Sequence, residues 1–224
     1  NEKKGLFPNT KWKKNNLGKG WVLGETLITG IGQGYTQTTP LQLCMMTAQI
    51  ANGGFAVKPK IIVDSNPISY EDAKQSMESG LLFDTNSAEL LDKKLFKNQK
   101  NIKIVQEAMF ASTNERFGTS YKSRIDDPKY QFAGKTGTAQ VKRISKRERE
   151  LDLELEQIPY KDRDHALYVA YGPYVNPRYA LSIIVEHGGS GSKAAAPIAK
   201  KLFKLIIDRH DLRNKQSNFE RITV

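Results

Sequence analysis

The stretch from Gln131 to Arg143, Gln-Phe-Ala-Gly-Lys-Thr-Gly-Thr-Ala-Gln-Val-Lys-Arg, constrains this chain more than any other. It reads as a strand that begins abruptly at a glycine and leaves one edge exposed. Lys135 sets a positive charge at the strand's start. Gly137 removes a side chain, so that another backbone can come close. Thr136 and Thr138 are two apart and project from one face. One cation, two hydroxyls and a bare backbone step suit a site that holds a peptide carboxylate by charge and pairs with the peptide's backbone. Taken alone, the tripeptide Lys-Thr-Gly favours an ordinary strand with a solvated lysine.

The elements after this strand predict an antiparallel sheet. His165 to Gly172 reads as a strand, Pro173 to Arg178 as a turn, and Tyr179 to His187 as a returning strand. Gly188-Gly-Ser-Gly191 breaks the chain. A helix is expected from Ala195 to Asp208, with Pro197 in its first turn and a buried stripe of Ile198, Leu202, Leu205 and Ile206. The last helix would lie across one face of the sheet, an α+β arrangement. The tail after His210 is polar and expected to fray, which divides the chain into a domain at 1–210 and a tail at 211–224.

Upstream, residues 1–25 carry scattered glycines with Trp12 and Trp21 and are expected to be irregular. Gly24 to Tyr35 is expected to be a loop or short strand. Thr39-Pro40-Leu41-Gln42 signals a helix start, with a threonine cap, proline at the first position and glutamine at the capping-box position. That helix should end at Asn52-Gly53-Gly54, with Leu41, Cys44, Met45, Ala48 and Ala51 on one face. A short edge strand is expected over Val57–Val63, a surface excursion over 64–86, and helices over Ser87–Phe96 and Ile102–Ala111. The second of these should turn Ile102, Val105 and Met109 to one side, and Gly118-Thr119 should be a loop. The segment 142–164 is a charged insertion.

Composition excludes several classes. The 224 residues carry a formal net charge of +11, but the basic residues are scattered and not interleaved with aromatics, so no nucleic-acid partner is expected. Cys44 is the lone cysteine, which rules out an intrachain disulfide and a cysteine zinc site. His165, His187 and His210 follow no ligand spacing, so no metal is expected, and nothing calls for a cofactor. The sequence has no apolar run of membrane-spanning length and begins without methionine, and is expected to be a piece of something longer.

Three separated stretches together resemble the class B penicillin-binding proteins. Gly30-Ile-Gly-Gln-Gly-Tyr35 with Thr39-Pro-Leu-Gln-Leu43 resembles the segment upstream of that family's third motif. Ala133 to Gln140 resembles the third motif itself, and Lys-Thr-Gly is its signature. Asp164 to Pro173 with Val185-Glu-His-Gly-Gly189 resembles the closing hairpin and its exit loop. The elongation-type branch fits best, because the division-type branch usually lacks Gly-Gln-Gly before Thr-Pro-Leu-Gln-Leu; those two stretches also argue against a β-lactamase.

The resemblance implies the transpeptidase fold shared with serine β-lactamases, and peptidoglycan D,D-transpeptidase activity in which a serine attacks the bond between two terminal D-alanines. It implies that Lys135 and Thr138 serve catalysis, the latter through its backbone N–H, and that Thr136, Gly137 and Thr138 bind the substrate carboxylate or a β-lactam. Gln140 carries no assigned role. The implied partners are peptidoglycan stem peptides, β-lactams and a membrane glycosyltransferase of the elongation machinery, at the periplasmic face of the inner membrane with an anchor upstream. The family's nucleophile motif Ser-x-x-Lys and its Ser-x-Asn should precede this region. Ser190-Gly-Ser-Lys193 and Ser112-Thr-Asn114 have those spellings in the wrong order or place and are expected to be coincidental, so the isolated chain should be inactive. A scaffold or β-lactam sensor that keeps this fold without the chemistry is the competing expectation.

Overall fold

The computed structural model describes residues 2–57, 59, 94–142 and 153–222, with side chains to 213. The described residues fall into two compact units, Asn1–Leu43 and Cys44–Val224, with the boundary inside one helix.

In the first unit, two helices form where irregular structure is expected. Helix α1 spans Thr10–Leu17 and α2 spans Leu23–Gly30. Both are set by their ends. Asn9 Oδ1 accepts the Trp12 N–H at 2.8 Å, and Gly18 closes α1 in the left-handed region at φ 64°. Glu25 reaches back to the Val22 N–H at 2.9 Å, and its other oxygen meets Lys13 Nζ at 2.5 Å. Lys13 is buried, so this pair joins α1 to α2. Polar side chains at the helix ends outweigh the low helix propensity of Gly24 and Gly30.

Helix α3, Pro40–Ala51, starts as its spelling predicts: Thr39 Oγ1 accepts from the Gln42 N–H at 3.2 Å while Gln42 Oε1 accepts from the Thr39 N–H at 3.0 Å. Asn52 caps the following turn, and Gly53 and Gly54 take positive φ. The buried position of α3 is Thr47 rather than the expected apolar stripe, of which Leu41 is exposed.

The second unit is built on a three-stranded antiparallel sheet in the order β1–β2–β3, with β1 at Ala133–Ala139, β2 at His165–Gly172 and β3 at Tyr179–Val185. Gly137 pairs with Leu167, and Ala170 with Leu181. One face carries Ala166, Tyr168 and Ala170 and packs with Phe132 against helix α5, Ala196–Ile222, which follows a π-helical turn at Gly191–Ala195. The opposite face carries Ala133 and Tyr171 and packs on Met109 of helix α4, Gln99–Asn114, and on Ile50 and Ala51 of α3. Gln106 of α4 donates to the Ile50 carbonyl at 2.7 Å and so satisfies a free end of α3.

Four further expectations are corrected. The buried stripe of α5 is Ala196, Ala199, Phe203 and Ile207, while Ile198 and Leu205 are exposed. Small alanines bring the helix close to the sheet and leave the depth to Phe203, whose ring stacks on Phe132 at 4.8 Å, whereas the expected stripe followed bulk alone. The helix also continues past His210 to Ile222 instead of fraying. In α4, Ile102 and Met109 are buried but Val105 is exposed, because Gln106 occupies the α3 side. Lys94 bridges Phe55 in extended conformation, so the expected helix does not reach Phe96. The rest of that helix, the strand after Val57 apart from Pro59, the excursion 64–86 and positions 143–152 of the charged insertion lie outside the described residues.

Candidate active site

The strand β1 is held by its neighbours on both faces and along part of its outer edge. Asn114 Nδ2 donates to the Phe132 carbonyl at 2.9 Å, Thr113 Oγ1 to the Gly134 carbonyl at 3.4 Å, and Lys135 Nζ to the Thr136 carbonyl at 2.8 Å. These carbonyls belong to every second residue. In an antiparallel ladder the N–H and C=O of one residue point the same way and alternate along the strand. The alternation therefore turns the N–H and C=O of Thr138 to the outer edge, which carries no further strand among the described residues.

Lys135 and Thr138 are exposed and Thr136 is half-buried. Thr136 and Thr138 sit opposite Tyr168 and Ala166, so both project from the α5 face, as their spacing predicts. The Lys135 ammonium bends around the strand edge and also lies 3.3 Å from Thr136 Oγ1. The arrangement lines one ammonium, two hydroxyls and one outward backbone N–H along β1 between Lys135 and Thr138. Such a cluster can bind a carboxylate and stabilise charge developing on a carbonyl oxygen beside it.

The strand cannot shift easily in either direction. A Cβ on Gly134 would fall 2.4 Å from the Tyr168 hydroxyl. Tyr168 is fully buried there, and its hydroxyl bonds Thr113 Oγ1 at 3.0 Å and Ser120 Oγ at 3.1 Å. A Cβ on Gly137 would meet Leu167 Cβ at 3.2 Å. The backbone that comes close to Gly137 within the chain is that of Gly191. Beyond Thr138 a cleft of about 690 Å³ runs between Leu155, Asp164, Ser190 and Lys193.

The exit loop of β3 is tied to the same strand end. Asp164 accepts the Val141 N–H at 3.1 Å, and its own carbonyl accepts the Gly189 N–H at 2.8 Å. His187, in the left-handed region at φ 56°, donates its backbone N–H to His165 Nδ1 at 2.9 Å. Two histidines that are distant in sequence thus meet as parts of a turn. Among the described residues there is no cluster of side chains that could hold a metal ion.

Of the two decoys, Ser190 pairs its hydroxyl with Ser192 at 3.0 Å ahead of the π-helical turn, and Asn114 is spent on the Phe110 and Phe132 carbonyls. Sequence reasoning missed Thr119, whose hydroxyl lies 3.3 Å from Thr136 Oγ1, and Gly191. Glycine followed by two hydroxyl residues at Gly118-Thr-Ser120 is the signal that marks a loop able to dock on a strand.

A family model described as the penicillin binding protein transpeptidase domain matches residues 1–204. The chain belongs to the penicillin-binding protein transpeptidase family. Peptidoglycan D,D-transpeptidase MrdA of Salmonella typhimurium is 32% identical over 204 residues, 91% of this chain and 30% of its own length. The FtsI homolog of Mesostigma viride is 26% identical over 189 residues. Among solved structures, the Helicobacter pylori PBP2–MreC complex aligns with a TM-score of 0.67 at 32% identity, covering 92% of this chain and 32% of that one. Pseudomonas aeruginosa PBP2 in complex with WCK 5153 aligns with a TM-score of 0.67 at 33% identity, covering 91% and 38%. The sheet with helices on both faces is thus the penicillin-binding protein transpeptidase fold. The chain spans about 30% of the length of the curated relatives it matches.

Proposed function

We propose that this chain is the Lys-Thr-Gly-bearing part of an elongation-type peptidoglycan D,D-transpeptidase, and that the nucleophilic serine and the second motif are supplied by sequence upstream of it. The observation that carries the proposal is the Lys135 ammonium at the open edge of β1, with the Thr136 and Thr138 hydroxyls on one face and the Thr138 N–H turned outward. Relatives named as MrdA support the elongation-type assignment over the division type.

The serine oxygen attacks the carbonyl carbon between the two terminal D-alanines of a stem peptide. The C–N bond breaks, D-alanine leaves with a proton, and an ester joins stem to serine. An amine of a neighbouring stem then displaces the serine oxygen. Thr136 and Thr138 bind the terminal carboxylate, and Lys135 adds positive potential there and toward the second-motif serine. The Thr138 N–H donates to the oxyanion, where preorganised donors act most strongly. β-Lactams enter by the same route, since their carboxylate and strained carbonyl occupy the same two positions. Gly137 leaves the strand without a side chain where the substrate backbone runs.

The proposed setting is the periplasmic face of the inner membrane, with a membrane glycosyltransferase as partner and MreC, bound by the Helicobacter pylori relative, as a further one. No nucleic-acid partner, metal or cofactor is part of the proposal. The test is acylation by a fluorescent penicillin. The full-length protein should label, residues 1–224 alone should not, and Lys135→Ala in the full-length protein should slow labelling by orders of magnitude. Labelling of a serine within residues 1–224 alone, or near-normal acylation of the Lys135 variant, would overturn the assignment.

A further inference from the structure

We propose that Thr119 is a positioning residue for carboxylate recognition, acting through the hydroxyl of Thr136; this rests on the transpeptidase assignment above. Three hydroxyls stand in a row that ends at the ammonium. Ser112 Oγ lies 3.2 Å from Thr119 Oγ1, Thr119 Oγ1 lies 3.3 Å from Thr136 Oγ1, and Thr136 Oγ1 lies 3.3 Å from Lys135 Nζ. The row crosses from the end of α4, through the loop at Gly118-Thr119-Ser120, to β1.

The loop is built to bring Thr119 there. A Cβ on Gly118 would fall 2.4 Å from the Ser112 carbonyl oxygen and 2.5 Å from that of Ala111, so the chain can lie this close to the end of α4 only without a side chain. The Ser120 backbone N–H donates to the Ser112 carbonyl at 3.0 Å, and the Ser120 hydroxyl is fixed on Tyr168. Thr119 is thus held between two anchored residues while its own side chain stays exposed beside Thr136.

Donor and acceptor bookkeeping gives the row a direction. An ammonium only donates, so Thr136 Oγ1 accepts from Lys135 and has one hydrogen left to give. A carboxylate only accepts. When one binds at Thr136, the Thr136 hydrogen turns to it, and among the described residues Thr119 is the hydroxyl placed to give Thr136 a second hydrogen. Thr119 in turn accepts from Ser112. All the hydrogens then run toward the ligand, and each donor polarises the next. Without the Thr119 hydroxyl, Thr136 keeps its place in the strand but loses the donor behind it. Thr119 touches no reacting atom in this scheme; its effect is on how well one hydroxyl donates to a negative charge.

The experiment compares a fluorescent penicillin bearing its free carboxylate with the methyl ester of the same compound, on full-length protein. Thr119→Val removes the hydroxyl and keeps the shape. Acylation by the carboxylate form should slow about tenfold, and acylation by the ester should change by less than about twofold, as expected for the loss of one hydrogen bond behind the hydroxyl that faces the charge. Thr119→Ser should restore the carboxylate rate. Equal slowing of both compounds would mean that Thr119 only holds the loop, and an unchanged ratio with unchanged rates would mean that it does nothing at the site; either result sinks the inference. A wild-type protein that acylates with neither compound overturns the transpeptidase assignment, and this inference with it. An active wild type whose discrimination ignores Thr119 overturns this inference alone.

Discussion

Gly191 lies flat against the backbone of Gly137. A Cβ at position 191 would be 2.8 Å from the Gly137 carbonyl oxygen, 3.3 Å from its nitrogen and 2.4 Å from the carbonyl oxygen of Leu167, the residue paired with Gly137 in the ladder. The loop that leaves β3 therefore presses on the middle of the Lys-Thr-Gly strand from the α5 side. The same loop is fastened to the strand's end through Asp164 and Val141. The geometry of β1 at Thr138 thus depends on a segment more than fifty residues away in sequence.

Gly191→Ala should force these backbones apart. All three opposing atoms belong to main chain and cannot swing aside. Overpacking of this kind typically costs about 1–3 kcal/mol. The variant should melt lower in thermal unfolding, and in the full-length protein it should acylate more slowly because the Thr138 N–H moves with the strand. A variant that melts and acylates like the parent would show that the contact does not constrain β1.

Two buried tyrosines on opposite faces of β2 should respond oppositely to loss of the hydroxyl. Tyr168 bonds Thr113 and Ser120, and burial pushes its hydroxyl's pKa up, partly countered by those two partners. Tyr171 is as deeply buried, yet its hydroxyl has no hydrogen-bond partner among the described residues, and burial pushes its pKa up too. Tyr168→Phe removes two buried hydrogen bonds, from Thr113 and Ser120, and should cost about 1–3 kcal/mol, while Tyr171→Phe should be neutral or slightly stabilising. Denaturant unfolding of both variants checks this; a larger loss at Tyr171 than at Tyr168 would refute it.

The acid limb of stability should depend on Asp208. The Tyr130 hydroxyl donates to this carboxylate at 2.5 Å, and the Lys129 ammonium lies 3.1 Å away, which together hold its pKa below the usual carboxylate value. Lys129 also meets Asp211 at 3.0 Å and lowers that group as well. A carboxyl whose folded pKa is depressed stabilises the fold fully above its unfolded value and loses that contribution as the pH falls through the folded value. The melting temperature should therefore drop as the pH falls from about 5 toward about 3. Asp208→Asn should melt lower at neutral pH and show a shallower decline, with Asp211 leaving a residual slope. The effect should shrink in high salt because the groups are exposed. Parallel curves for parent and variant would remove Asp208 from the account.

The strands were legible in the sequence because their signals are local. His165–Gly172 and Tyr179–Val185 are short apolar and aromatic runs bounded by turn residues, and Lys-Thr-Gly spells a strand entry with its chemistry attached. The start of α3 was legible because Thr39 and Gln42 cap each other across three residues. What escaped depends on distant partners. The face that α5 buries is chosen by the depth available over Phe132 and Tyr168, which favours Ala199, Phe203 and Ile207 over larger neighbours. The helix α2 hangs on the Lys13–Glu25 pair between two helices, which no single window displays. Thr119 reads as loop because its partner lies seventeen positions along the chain, on another element. The chemistry of Lys135 could be read in the sequence, but the residues that aim it could not.

Separating fold from chemistry requires a pair of substitutions whose effects do not overlap. Phe203 is wholly buried between α5 and the sheet and stacks on Phe132, the residue that leads into β1. Phe203→Ala removes a ring from a close-packed interior and should cost about 3–5 kcal/mol. Lys135 is exposed, and its side chain bonds only to Thr136 among the hydrogen bonds described, so Lys135→Ala should leave the melting temperature within about one degree of the parent. Acylation of the full-length protein should invert this order. Below its own melting range, the Phe203 variant should retain a measurable rate, because the strand end is held also by Asn114, Thr113 and Gly191; the Lys135 variant should be nearly silent at every temperature. If Lys135→Ala instead lowers stability as much as Phe203→Ala does, the lysine serves the fold and its placement at the open edge of β1 has another cause.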